Sequence, residues 1–204
     1  MASYSNDTSY MPFQCSQKYD SLLESLKYVG SVIYLIPAAF MHFAILRVIL
    51  ITEREYYGRS SFYQLFAVDS VASLVLILWD IFFSRLLLFV PPFCPIVSSF
   101  FFRPTLLQKV YYVSGCHARF AKSVAQIFMV LNRMNCVVTP TFYGKIWERS
   151  TKWAILLVIL LPLAGTWNVI LSRVYAFAAF GGFGFSYIRY VQWVTFMSLA
   201  FAIF

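Results

Sequence analysis

Residues 153–171 read WAILLVILLPLAGTWNVIL, a run without one Asp, Glu, Lys or Arg. At about 1.5 Å of rise per residue, a helix over that run nearly crosses a bilayer core of about 30 Å. The whole chain shares its bias. Of 204 residues, 61% are hydrophobic and only 12% are charged, whereas a soluble domain is roughly half apolar and a quarter charged. No soluble core of this length has room for so much apolar side chain, and disorder would need the opposite bias. Aromatics supply 20% of the residues, with 22 Phe and 14 Tyr, which suits helices that meet lipid tails and headgroups. The composition therefore implies an integral membrane protein.

Working outward, residues 62–84 (FYQLFAVDSVASLVLILWDIFFS) and 29–51 (VGSVIYLIPAAFMHFAILRVILI) are long enough to span. Pro37 is expected to kink the first of them, and Arg47 to snorkel to the interface. Residues 110–138 form a third, more polar span. A run from 187 to 204 begins a fifth that is incomplete at Phe204. The expected fold is all-α, a polytopic membrane helical bundle with four full spans (29–51, 62–84, 110–138, 153–171) and a partial fifth (187–204). A polar N-terminal tail, residues 1–28, precedes it and lacks the basic, apolar and small-residue order of a cleaved signal peptide. Pro91, Pro92 and Pro95 around Cys94 forbid a regular helix there, so that stretch reads as a connecting loop packed on the surface. Gly181-Gly182-Phe183-Gly184 follows no expected strand and reads as a flexible turn, not a phosphate cradle.

Sixteen Lys and Arg against eight Asp and Glu give a formal charge of +8. The cations fall singly or in pairs between apolar runs, so no patch tracks phosphates and no nucleic-acid partner is expected. They flank spans and meet lipid headgroups instead. Their balance across the membrane is even and leaves the orientation open. The sequon Asn6-Asp7-Thr8, a glycosylation candidate at Asn6, and the placement of Cys15 and Cys94 on one side favour an extracellular N-terminus.

Charge inside a span is costly and so informative. Arg119, Lys122, Gln126 and Arg133 recur at helical spacing and share one face of the third span, while Asp69 and Asp80 share a face of the second. Acids on one helix and bases on the other are expected to pair: Asp80 with Arg119 or His117, and Asp69 near Lys122 and Gln126. Such groups either act as glue between helices or line a ligand or switch pocket, with a proton or ion pathway as a third reading. Cys15 and Cys94 are candidates for a disulfide, and Cys116 and Cys136 read as small hydrophobes. With no C-x-x-C pair and only His42 and His117 available, no metal site is expected, and no cofactor either. No G-x-S-x-G, H-E-x-x-H, P-loop or dinucleotide motif occurs, so no enzyme activity is expected.

The end of the third span reads Leu131-Asn132-Arg133-Met134, followed by Val137, Pro140, Tyr143 and Trp147. It resembles the inner end of the third helix of rhodopsin-like receptors, with Asn132 where that pattern has an acidic residue. Leu65-Phe66-Ala67-Val68-Asp69 is similar to the Leu/Ala/Asp element of their second helix. The ordered set Tyr63 to Ser70, Pro91-Pro92-Phe93-Cys94-Pro95, Ala121-Lys122, Gln126 and Leu131 to Met134 resembles one group more closely, the nematode serpentine receptors of class gamma, over roughly residues 25–200. The resemblance implies a seven-helix chemoreceptor of the sensory-neuron plasma membrane, with its N-terminus outside. It implies a small-molecule or peptide ligand, for which the intramembrane polar residues Asp69, Asp80, His117, Arg119, Lys122 and Gln126 are the pocket or switch candidates. It also implies a heterotrimeric G protein facing Asn132, Arg133, Pro140, Tyr143, Lys145 and Arg149. Because that family carries seven helices, the chain is expected to be a truncated form that does not signal alone. Two alternatives stand beside it: a non-signalling membrane fragment that binds related receptors, and a transporter or channel subunit.

Overall fold

The computed structural model describes residues 19–96, 106–172, 174–179 and 182–187. The helices are α1 (Ser21–Val32), α2 (Leu35–Arg47), α3 (Arg54–Tyr57), α4 (Ser61–Trp79), α5 (Leu86–Phe89), α6 (Leu106–Val138) and α7 (Pro140–Leu171). Two π-helical segments extend them, Val48–Thr52 after α2 and Asp80–Arg85 between α4 and α5. Three of the resulting rods are long and apolar enough to cross a membrane: Ser21–Thr52, Ser61–Phe89 and Pro140–Leu171. The expected third span is also helical, a rod of 33 residues, but its charges keep it out of that apolar set. The expected fifth span lies outside the described residues, apart from Tyr187.

Helix ends follow local chemistry. The first rod begins at Ser21, ahead of the apolar run, because the Asp20 carboxylate accepts from the Leu22 amide at 3.0 Å. It breaks at Ile33–Tyr34, and Pro37 accounts for the position, since a proline ring clashes with the carbonyl four residues back. Pro140 opens α7, where its missing N–H costs nothing.

The chain forms two compact units. The first comprises residues 1–34, 79–114 and 168–190. Here the structure corrects the all-α expectation. Val174–Ala179 and Gly182–Tyr187 form an antiparallel hairpin, with Val174 opposite Tyr187 and Ala179 opposite Gly182. The glycine-rich segment thus follows a strand and opens another. Its core joins Leu87, Cys94 and Phe183, with Ala176 and Phe185 against them. Cys94 is buried on a helical turn at 93–96 and is disulfide-bonded, so the connecting stretch is packed, with one short helical turn within it. A Cβ on Gly182 would sit 2.1 Å from the Leu87 carbonyl oxygen and 2.5 Å from that of Leu88. Only glycine lets the hairpin rest there. Gly182→Val is expected to lift the hairpin and cost at least about 1–3 kcal/mol of thermal stability, as overpacking does. Gly144→Ala, where nothing lies within 4 Å, should be neutral or stabilising in the same melting experiment.

The second unit comprises residues 35–78, 115–167 and 191–204. Ala121, Val124 and Ala125 of α6 pack with Val158 of α7, against Val68 and Phe128. A second cluster joins Leu65, Trp147 and Ala154, with Met129 and Ile155 beside it. Small residues let helix backbones approach where lipid supplies no hydrophobic drive. Gly165 does so against the Phe120 ring, 3.5 Å from where its Cβ would be.

Candidate functional site

Three groups of side chains could carry function, one in the first unit and two in the second.

In the first unit, the hairpin and the ends of α4 and α6 enclose a cavity of about 190 Å³. Trp79, Phe83, Tyr111 and Tyr112 form its helical walls, with Ser84 and Leu88 between them; Phe177, Gly184 and Phe185 close it from the hairpin. Its rings hold one another. Trp79 stacks on Tyr111 at 5.0 Å between centroids, and the Tyr111 ring lies 4.4 Å from Phe83 and 5.4 Å from Phe185. The Trp79 indole N–H donates to the Tyr111 carbonyl at 3.1 Å, so its polar edge is satisfied within the wall. Beside the cavity, Arg85 Nε donates to Asp80 Oδ2 at 2.5 Å. Its other nitrogens donate to the Ser31 carbonyl and the Tyr34 hydroxyl, each at 2.9 Å. The expected partner of Asp80 was Arg119 or His117; the structure gives it Arg85. The cause is the π-helix, which bonds residues five apart and so aligns positions 80 and 85.

In the second unit, α4 and α6 bring Asp69, Ser73 and Lys122 together, with His42 of α2 nearby. Lys122 Nζ donates to Ser73 Oγ at 2.7 Å, and the charges of Lys122 and His42 act on the Asp69 carboxylate. Asp69 is only 6% exposed. Its Oδ1, with Ser70 Oγ and His42 Nδ1, has no hydrogen-bond partner among the described residues. The expected neighbourhood of Asp69 and Lys122 is present, while Gln126 and Arg119 are exposed. His117 is half-buried and its Nδ1 lacks a hydrogen-bond partner.

The third group is a closed triangle. Asn132 Nδ2 donates to Ser61 Oγ at 2.8 Å, and the Tyr143 hydroxyl donates to Asn132 Oδ1 at 3.0 Å. With the tyrosine proton committed, the 3.0 Å contact between Ser61 Oγ and Tyr143 Oη is closed by the serine proton. Each group gives and accepts once, around an Asn132 that is 1% exposed. Next to it the Arg133 guanidinium lies 4.3 Å from the Phe62 ring centroid, a cation–π contact. Pro140, Lys145 and Arg149 are exposed. Tyr143→Phe should cost about 1–3 kcal/mol, because it strands a buried amide oxygen and a hydroxyl proton. A change within error of zero in thermal melting would contradict the triangle.

Cys116 and Cys136 are free thiols, while Asn6 and Cys15 lie outside the described residues. Among the described residues, no group of three or more His, Cys, Asp or Glu is placed to hold a metal ion. The cavity rings and Arg85 were missed by a reading that followed intramembrane charge. The signal was present in Trp79 and Phe83, four apart on a helix face, and in Phe183 and Phe185, alternating along a strand.

The profile described as Srg family chemoreceptor matches residues 28–204. Serpentine receptor class gamma-16 of Caenorhabditis elegans is 52% identical over 181 residues, covering 89% of this chain and 56% of that protein. Serpentine receptor class gamma-15 of the same organism is 46% identical, over 90% of this chain and 58% of its own length. Class gamma-17 is 45% identical, over 89% and 57%. The chain thus spans a little over half the length of these relatives.

Proposed function

The chain belongs to the Srg family of chemoreceptors, and on that premise we propose that it is the ligand-sensing, membrane-embedded part of a chemosensory receptor coupled to a heterotrimeric G protein. The match across residues 28–204 carries the reading. The apolar rods and the family make it an integral membrane protein. In the proposed arrangement α6 is the third span, the N-terminus and hairpin face outward, and the protein resides in the plasma membrane of sensory neurons. A disulfide from Cys15 to Cys94 ties the tail to the outer surface, and Asn6 carries a glycan.

In this account the ligand is a small chemical, sensed on the outer side near Asp80 and the hairpin. Asp69, Lys122, His117, Arg119 and Gln126 respond along α4 and α6. Asn132, Arg133, Pro140, Tyr143, Lys145 and Arg149 face the G protein. Ligand binding shifts the population between two packings of the bundle, which requires different affinity for the two. The neutral triangle supports such a switch, because it breaks as a unit without stranding a charge.

The test joins this chain to the remaining length of the class gamma-16 relative and expresses the chimera with a G-protein reporter. A ligand from a volatile and peptide panel should evoke a response that Arg133→Ala abolishes without lowering surface delivery. Ligand-evoked flux of a permeant solute in liposomes, with no reporter response, would favour the transporter reading instead.

A further inference from the structure

We infer that the aromatic cavity of the first unit binds a small, uncharged molecule built on a single ring, an inference that rests on the chemosensory reading above. Size sets the first limit. The cavity holds about 190 Å³, whereas pockets for drug-sized ligands run to about 300–1,000 Å³. An apolar cavity of about 150 Å³ lined by aliphatic and aromatic side chains stays dry and takes benzene. One substituted ring fits here, and a peptide side chain with its backbone does not.

Charge sets the second limit. Among the described residues, no Asp, Glu, Lys, Arg or His lines the cavity. The nearest acid, Asp80, is held by Arg85 at 2.5 Å, so it is committed as the counter-ion of that guanidinium. A buried ionic ligand would find no partner and would lose its hydration. Aromatic walls do attract cations through their faces. Here Trp79 and Tyr111 each spend one face on the other, in a stack with 7° between planes. What remains favours ring edges and faces of a neutral guest.

The third observation is the wall that sets the shape. Phe177 pairs across the hairpin with Gly184, and a Cβ on Gly184 would lie 3.0 Å from the Phe177 ring. The glycine lets that ring lie over the strand and close the cavity. Any larger residue at 184 must push the ring aside, so position 184 determines which ring is admitted.

The experiment titrates 4-fluoroanisole, 4-fluorobenzoate and 4-fluorobenzylammonium onto the full chain in lipid nanodiscs and follows the fluorine linewidth, with empty nanodiscs as reference. Saturable broadening is expected for the anisole alone. Gly184→Val should weaken it by about tenfold, the effect of losing one aromatic contact. Phe177→Leu, at a ring that is 42% exposed and therefore safe for folding, should weaken it similarly. Saturable binding of the benzoate or benzylammonium probe that Phe177→Leu removes would overturn the ligand class while leaving the chemosensory reading intact. Broadening by the anisole that both variants retain, or no saturable broadening by any probe, would overturn the site. The reporter response of the chimera is independent of either result.

Discussion

Replacing Lys122 by Met should cost up to about 2.5–3.5 kcal/mol, the cost of a charge left without its counter-charge inside a span. Asp69 is 6% exposed, and one of its carboxylate oxygens lacks a hydrogen-bond partner. The Lys122 charge acts on it, and the Lys122 ammonium is held by Ser73 at 2.7 Å. With the ammonium gone, the buried carboxylate loses the stronger-acting of the charges that offset its desolvation. Insertion scales place an unpaired charge at the centre of a spanning helix in that range. Adding Asp69→Asn to Lys122→Met should recover most of the loss. The thermal stabilities of the two single variants and the double variant in detergent form the cycle that measures the coupling. Strict additivity would show that the two charges do not act on each other.

Arg85→Leu should cost about 2–3 kcal/mol. Its guanidinium makes charge-assisted bonds to Asp80, the Ser31 carbonyl and the Tyr34 hydroxyl, and it lies 5.6 Å from the Tyr34 ring centroid. Bonds to charged groups contribute about 1.5–3 kcal/mol each when buried. Partial exposure of both Arg85 and Asp80 lowers the sum through solvent screening. Arg85→Lys keeps the charge but loses the planar fork that reaches three partners at once, so it should restore less than half. Thermal melting, with hydrogen exchange on α1 as the local reading, tests both variants. Full rescue by Lys would mean that charge alone holds the junction.

Three of the expected spans were legible because lipid leaves a strong mark on composition. An uncharged run such as 153–171 has few other uses, and the structure places it within the rod Pro140–Leu171. The pairing of Asp80 was not legible, because it depends on a π-helical segment. Residues five apart do not face each other on an α-helix, and no residue type in Asp80–Arg85 announces the extra width. The hairpin was hidden for a related reason. Strands are read from apolar and polar alternation, and Val174–Ala179 is apolar except for a tyrosine hydroxyl, so both faces look the same. Its one usable sign was the pair of glycines at 182 and 184. The structure shows them as close-approach positions against Leu87 and Phe177.

For the site, intramembrane charge led to Asp69 and Lys122, which lie near one another, and Asn132 and Tyr143 proved to be partners. Helical phase also grouped Gln126 and Arg119 with Lys122, though both are exposed. Phase tells which residues share a face, but the neighbouring helix decides which part of that face it covers. For the aromatic cavity, spacing marked some of the rings, but the cavity itself forms only where the hairpin meets the ends of α4 and α6.

The proposed orientation puts the hairpin with its cavity on the outer side and the triangle with its basic neighbours on the cytoplasmic side. In a chain carrying Cys116→Ala and Cys136→Ala, single cysteines at Phe177 (F177C) and Gly144 (G144C) report on the two ends. Intact cells treated with a membrane-impermeant thiol reagent should label F177C fully, and G144C only after permeabilisation. Labelling of G144C but not F177C in intact cells would contradict the account.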